Sequence, residues 1–443
     1  MIKSLFLKTF FGLVAVLFIG QSSFAQSQLA QAGKIWYDEG FLYVNILNEG
    51  VLVINNFDPK APRKVGFIAI PGNVDMAVVG TVMYANSNQD LVAIDIKDLK
   101  NIKELSRVPA VFTHRPRANS WDNNAIAWRN GADLTSLINN WFTTPIANGI
   151  SGGNNRNNAN NGRNNPWWMM GSNGGISNGI NGGAAGNPLV TSAAPVNTRP
   201  ANKPASVGGK GGSMACFTLL DNYLYAIDSK DLLVFSTADM ANPKLLGNKI
   251  PINTDIETIF AYNDRLFIGS QSGMYIYNAT NRTLPTREGH YRHTRSCDPV
   301  VVEGNYAYVT LRDGSDCGGG VNQLDVIDIS NPSRLTKVQT YPMTNPHGLG
   351  IDNGTLFVCD GRDGLKVFDA SDVRAISRNQ LAHFRNINTY DVIPDSNRKI
   401  LMMVGSNRIT QYDYKDPRNI GLLSEIDLSS TKDVQPATAA GTR

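Results

Sequence analysis

Cysteine and long apolar runs are both scarce in this chain. Only 4 of its 443 residues are cysteine, too few for a disulfide-built domain, and a chain of this length needs no staples to make a core. Cys216, Cys297, Cys317 and Cys359 allow three complete pairings, each a local staple at most. One apolar run, Phe10 to Ile19, lies near the N-terminus, and no later segment approaches the roughly 20 residues that a membrane helix requires. No cysteine follows that run, which argues against a bacterial lipid anchor. No ligand cluster has a diagnostic metal spacing and no nucleophile motif is present, so the chain carries no sequence signature of a zinc enzyme or a covalent hydrolase.

What is present begins with Lys3 and Lys8, the apolar run, and Ser23-Phe24-Ala25, the small-x-small pattern of a cleaved export signal over residues 1–25. A polar tether over 26–32 follows. The expectation is an exported mature chain, placed in the periplasm, at the cell surface or outside the cell. The 41 Gly and 21 Pro point to many turns, and an all-β fold is the first expectation. Short strand pairs then recur. Phe41 to Val44 pairs with Val51 to Asn55, Val82 to Ala85 with Leu91 to Asp95, and Ala307 to Val309 with Leu324 to Asp328. Four further copies begin near Leu224, Leu266, Leu356 and Ile400. The steps between copies are 40, 142, 42, 41, 49 and 44 residues. A period of roughly 40 to 50 residues built from alternating strands is that of propeller blades. Seven blades are predicted, blades 1 and 2 over residues 33–111 and blades 3 to 7 over 213–430, with a polar tail over 431–443. Both ends supply whole blades, so the ring is expected to close by side-chain packing between blades 1 and 7.

The five-residue strands LDVID (Leu324 to Asp328) and LVAID (Leu91 to Asp95), and the run Asp328 to Pro332, resemble the LVIVD-repeat family of bacterial exported β-propellers. The resemblance covers about 310 residues and is weakest at Ile409 and Leu232. It implies a fold and an exported habit, and no single reaction.

The 142-residue step holds one blade and about 100 additional residues, 112–212. This stretch is rich in Asn and Gly and carries five of the six Trp, with eight Lys or Arg against Asp122 and Asp133. Its charge of +6 and the +2 of residues 1–25, taken from the chain's +4, leave the propeller at −4. Residues 151–186 have too little apolar content to order themselves. Trp167 and Trp168 are the candidate contact arm, suited to sugar rings, peptides or acidic polymers. The alternative is a low-complexity spacer whose aromatics pack on the disc. Export and the acidic disc disfavour nucleic acid.

In a propeller the starts of the innermost strands ring one mouth of the channel. Counting ten residues upstream from the centre of each second strand gives Glu257, Asp298, His347 and Asp391 in blades 4 to 7. Blade 2 offers Asp75 one position away; blades 1 and 3 offer Gly33 and Ala215. Such a ring is a candidate cation or ligand site, a divalent ion such as calcium being the expected guest. Equally, these are the solvated polar residues of a wet rim. Arg295 and Arg312 are expected beside Asp298. Cys297 and Cys317 are placed to bridge across the glycine-rich loop of blade 5, and Cys359 stands one strand from His347. The leading expectation is a monomeric scaffold that binds a protein or glycan of the cell envelope on the face carrying these strand starts. The second is a metal-assisted hydrolase or lyase in the funnel.

Overall fold

A computed structural model describes residues 32–113, 127–129, 210–252, 256–293, 296, 299–313, 320–405 and 408–428. These residues form seven antiparallel sheets, each of consecutive hairpins, and contain no α-helix; one 3-10 turn spans Ile376–Arg378. Among them no helix is long and apolar enough to cross a membrane. The innermost strands are Ala32–Asp38, Met76–Val79, Phe217–Leu220, Ile256–Tyr262, Val300–Glu303, Leu349–Asp352 and Asp391–Asp395. The architecture is a seven-bladed β-propeller. We call the face where these strands start the upper face.

The sequence alternation works as expected for sheets buried on both sides. The second and third strands of each blade are almost continuously buried, as in Phe41–Ile46 and Leu91 to Ile94. Only the outermost strands, such as Lys103–Val108, turn polar. Packing of one sheet face on the next gives apolar clusters that run between blades.

Seven copies of one turn device close the third strand onto the outermost strand. The last residue of the third strand (Asn55, Asp95, Ser236, Asn278, Asp328, Asp369 or Asp413) accepts, through its side-chain oxygen, the N–H two residues on. Three residues later a second Asp or Asn (Asp58, Asp98, Asp239, Asn281, Asn331, Asp372 or Asp416) does the same. Its carbonyl also accepts the N–H three residues on, closing a β-turn in all seven. The final acid of LDVID and the Asn of Ser-Asn-Pro are therefore turn formers. All seven loops lie on the lower face, against the hairpin turns of the innermost strands, as in Asn56 N–H to Gly40 O.

No sheet is shared between the first and last blades, and the seam is closed by side chains as the sequence predicts. Asn56 and Gln411 exchange amide hydrogen bonds of 2.8 and 2.7 Å. Arg398 donates to Asn56 O at 3.1 Å, Ser424 Oγ to Pro59 O at 2.7 Å, and Lys64 Nζ to Asp427 O. Beneath them Leu42, Val44, Ile54 and Phe67 pack with Ile393, Met402 and Ile426.

Blade 1 alone gains two strands. Ala127–Arg129 pairs with the outer edge of its outermost strand, Arg63–Ala69. Lys210–Gly211 pairs with the inner edge of its innermost strand, Tyr37 opposite Lys210 and Trp36 opposite Gly211. An added strand inside the innermost one can only lie in the central channel. Residues 1–31, 130–209 and 429–443 lie outside the described residues, and with them the expected signal segment, tail and contact arm Trp167 and Trp168.

Candidate functional site

The axis of the disc is filled by the chain itself. From Lys210 the backbone runs antiparallel to the innermost strand of blade 1, hence from the lower face to the upper. Gly212 N–H reaches Ile35 O at 3.2 Å. Ser213 Oγ then donates to Asp391 Oδ1 of blade 7 at 3.0 Å and accepts Leu349 N–H of blade 6 at 2.8 Å. Ala215 O accepts Ile259 N–H of blade 4 at 2.8 Å, and the chain enters blade 3. Glycine is required twice here by close approach. A Cβ on Gly211 would stand 3.0 Å from the Trp36 ring, and one on Gly212 only 2.0 Å from Asp391 Oδ2. Gly348 of blade 6 meets the same carboxylate, at 2.2 Å.

Three of the four residues expected in the upper ring are described; Asp298 lies outside the described residues, as do Cys297 and Cys317. Asp391 and His347 are buried and Glu257 opens the innermost strand of blade 4. Burial pushes the Asp391 carboxyl up to about 7, opposed by hydrogen bonds from Val392, Ser213 and Met214. Burial, and then the Arg312 charge, hold His347 well below the usual imidazole value, and it packs edge-on against Tyr390 with centroids 5.0 Å apart. Arg312 itself is buried and drawn down to about 10 by desolvation, against the pull of Glu257 and Tyr390. Glu257 Oε1 accepts Gln271 Nε2 at 3.2 Å. Among the described residues no three His, Cys, Asp or Glu side chains stand together as a metal site.

Cys359 is beside His347, whose N–H donates to Cys359 O at 2.7 Å. Its thiol is free and fully buried, and desolvation, with Asp391 adding to it, raises it well above the ordinary value. That is the opposite of what a nucleophile needs.

The ten-residue ruler lands one position short in three blades. In blades 1, 2 and 3 the inward residues are Lys34, Asp75 and Cys216, nine positions upstream, and they meet. Asp75 Oδ2 accepts the N–H groups of Cys216 (2.5 Å) and Phe217 (3.0 Å), and Oδ1 accepts Met76 N–H at 2.8 Å. Lys34 Nζ lies 3.4 Å from Asp75 Oδ2 and 2.5 Å from Cys216 Sγ. All three are buried.

At the lower end the innermost strands finish on Asp38, Glu303, Asp352 and Asp395 in blades 1, 5, 6 and 7. Lys399 Nζ and Tyr414 OH bind Asp352 Oδ2 at 2.6 and 2.9 Å, and Arg398 Nε binds Asp395 Oδ2 at 2.7 Å. Lys210 keeps solvent-accessible surface within the channel. The surrounding disc lowers its ammonium below the usual lysine value, against the attraction of Asp352, Asp395 and Glu303. A polar cleft of about 200 Å³ opens on this face between Asn353, Thr355 and Asp369 of blade 6 and Asp416 to Arg418 of blade 7.

Fold and axis together define the class: a seven-bladed propeller whose channel carries its own chain. The fifth blade, residues 294–342, matches the LVIVD repeat, the blade that holds LDVID and its paired turn formers. No curated protein matches the chain in sequence. Solved structures similar to it include Kluyveromyces lactis Hsv2, at 9% identity and a TM-score of 0.47 over 90% of this chain and 99% of that one. BamB from Moraxella catarrhalis is similar at 7% identity and 0.45 over 87% and 84%. AztD from Citrobacter koseri is similar at 13% identity and 0.36 over 48% and 61%.

Proposed function

We propose that this chain is an exported binding scaffold that docks a protein partner of the cell envelope, and that the docking face is the lower one. The observation that carries the reading is the closed axis. Of the described groups expected to ring an open funnel, His347 and Asp391 are buried and Glu257 is partly so, and Asp391 is engaged by a serine from the axial segment. The funnel reading, a metal-assisted hydrolase or lyase, therefore has no open mouth lined by Asp391 and His347 to work in.

The lower face supports docking for two reasons. Its seven turns hold their backbones in one conformation, so they present variable side chains from a rigid frame. Its loops also expose large apolar groups, Phe57, Leu284 and Met240, on a face whose turns carry both Lys60, Lys97, Lys100 and Arg418 and Asp58, Asp98, Asp239 and Asp416. Apolar anchors within a rim of mixed charge suit a protein surface. The reading from sequence places the partner on the upper face; the exposed apolar loop residues among those described favour the other side.

The test is affinity capture from envelope extracts with three proteins: wild type, Phe57→Asp/Leu284→Asp, and a deletion of residues 144–208. Loss of a specific, saturable partner in the double variant, with its melting unchanged, is the expected result. Undiminished capture by that variant overturns the lower-face assignment, and loss only in the deletion moves the contact to the Trp-bearing arm.

A further inference from the structure

The cluster of Lys34, Asp75 and Cys216 is used by neither the fold's repeat nor the proposed docking face. We propose that Lys34 and Cys216 form a covalent cross-link in the oxidised protein, a single oxygen atom bridging Nζ and Sγ, so that blade 1 is tied to blade 3 across blade 2. Three observations carry this.

The first is separation. Nζ and Sγ lie 2.5 Å apart. Ordinary N–H···O hydrogen bonds span about 2.7–3.2 Å, and sulfur, being larger than oxygen, should stand further off still. The two heteroatoms are thus in direct contact, within the span of one bridging atom, while Sγ also lies 3.3 Å from Glu257 O. The second is seclusion. Lys34 is 1% exposed and Cys216 7%, so the pair is held out of bulk solvent. The other described cysteine, Cys359, is buried in blade 6 and unbridged, so the thiol has a lysine for its neighbour and no disulfide partner among the described residues. The third is a proton acceptor. Asp75 Oδ2 stands 3.4 Å from Nζ and is fixed there by N–H donors from blade 3.

The chemistry balances with dioxygen as oxidant. The lysine ammonium, the cysteine thiol and one O₂ give the N–O–S bridge, one water and one proton. One N–H bond, the S–H bond and the O–O bond break, counting the ammonium's acidic proton apart, and the two O–H bonds of a water form. One N–O and one O–S bond form. Nitrogen and sulfur are oxidised by four electrons in total, one oxygen stays in the bridge and the other leaves as water. The acidic proton passes to the Asp75 carboxylate or to solvent. Two equivalents of a dithiol, each oxidised to its disulfide, supply the four electrons that return amine, thiol and water. Oxygen at a thiol corresponds to the sulfenic level, the reversible rung of cysteine oxidation.

The test is peptide mass mapping of the full chain, purified without reductant and held in air-saturated buffer, against the same protein treated with a dithiol before digestion. The expected result is one linked species joining the peptides of residues 34 and 216, heavier than their sum by about 14 Da for one oxygen gained and two hydrogens lost. It should disappear on reduction and be absent from Lys34→Arg and Cys216→Ser. Melting provides a second readout: reductant should lower the Tm of wild type by more than that of Cys216→Ser, which keeps any Cys297–Cys317 bridge. Recovery of the two peptides unlinked from the air-held protein overturns the proposal. So does oxidation of Cys216 alone, as a sulfinic or sulfonic acid with Lys34 unmodified.

Discussion

The lower face of the disc repeats one solution seven times, whereas the upper end of the axis never uses the same one twice. Below, an Asx turn, with Ser236 in its place in blade 3, followed by a second Asx-headed turn closes each blade in the same way. Above, blade 1 supplies a lysine, blade 2 an aspartate, blade 3 a cysteine, blade 6 a histidine and blade 7 an aspartate that binds a serine from another part of the chain. Repetition marks what any blade needs to fold. Singularity marks what this ring needs at its centre, where each group is buried and depends on one particular neighbour.

The comparison predicts large and unequal effects above, small and equal effects below. Asp75→Ala should be the most damaging change, because it strands the buried Lys34 and three backbone N–H groups; removing one partner of a buried pair costs about 3–5 kcal/mol. Chemical denaturation of the variant against wild type checks this, and a loss near zero would place Lys34 in contact with water. Gly212→Ala forces a methyl group onto the Asp391 carboxylate, and overpacking of this kind costs about 1–3 kcal/mol. Gly80→Ala, on a lower turn with open space around its Cβ, should lose less, through its positive φ of 57° alone.

Asp391 makes the comparison pH-dependent. Its folded pKa of about 7 lies above the ordinary carboxylate value of about 3.9. The folded state therefore holds a proton that the unfolded state releases. Stability from this group is complete below the unfolded pKa and is lost as pH rises through the folded one. Asp391→Asn should melt above wild type by a margin that grows from pH 5 to pH 8. A Tm difference that is flat between these pH values would mean that the carboxyl is ionised throughout. The smallest effect should come from Asp328→Ala or Asp95→Ala, each removing one exposed turn hydrogen bond worth about 0.5–1.5 kcal/mol. The two losses should agree within error, since the loops are alike.

The architecture was legible because it is periodic. Strand pairs every 40 to 50 residues, and the Asp-x-Ser-Asn-Pro turn, are local signals that survive without knowledge of neighbours. The ring closure was legible for the same reason, since whole blades at both ends leave no strand to share. The axis was not. A ruler set by strand centres holds for the paired centres of every blade, but the chain upstream of them does not keep it; a bulge between Ala32 and Ile35 lies at the start of blade 1. Lys34 and Cys216 fell one position outside the count. Gly208-Gly-Lys-Gly-Gly212 read as the end of a low-complexity stretch, since nothing local distinguishes a glycine that is free from one pressed against a carboxylate. His347 and Asp391 were found by position, but their burial depends on a segment more than a hundred residues away in sequence.

The axial segment also constrains the order of assembly. Lys210 to Ser213 leaves the ribosome before any residue of blades 3 to 7, so the five later blades can close around a strand already lying on blade 1. No chain end has to be pushed through a finished hole. Placing new termini between blades 6 and 7 should keep that order, while placing them between blades 2 and 3, downstream of Ser213, would have the ring made first and the pin last.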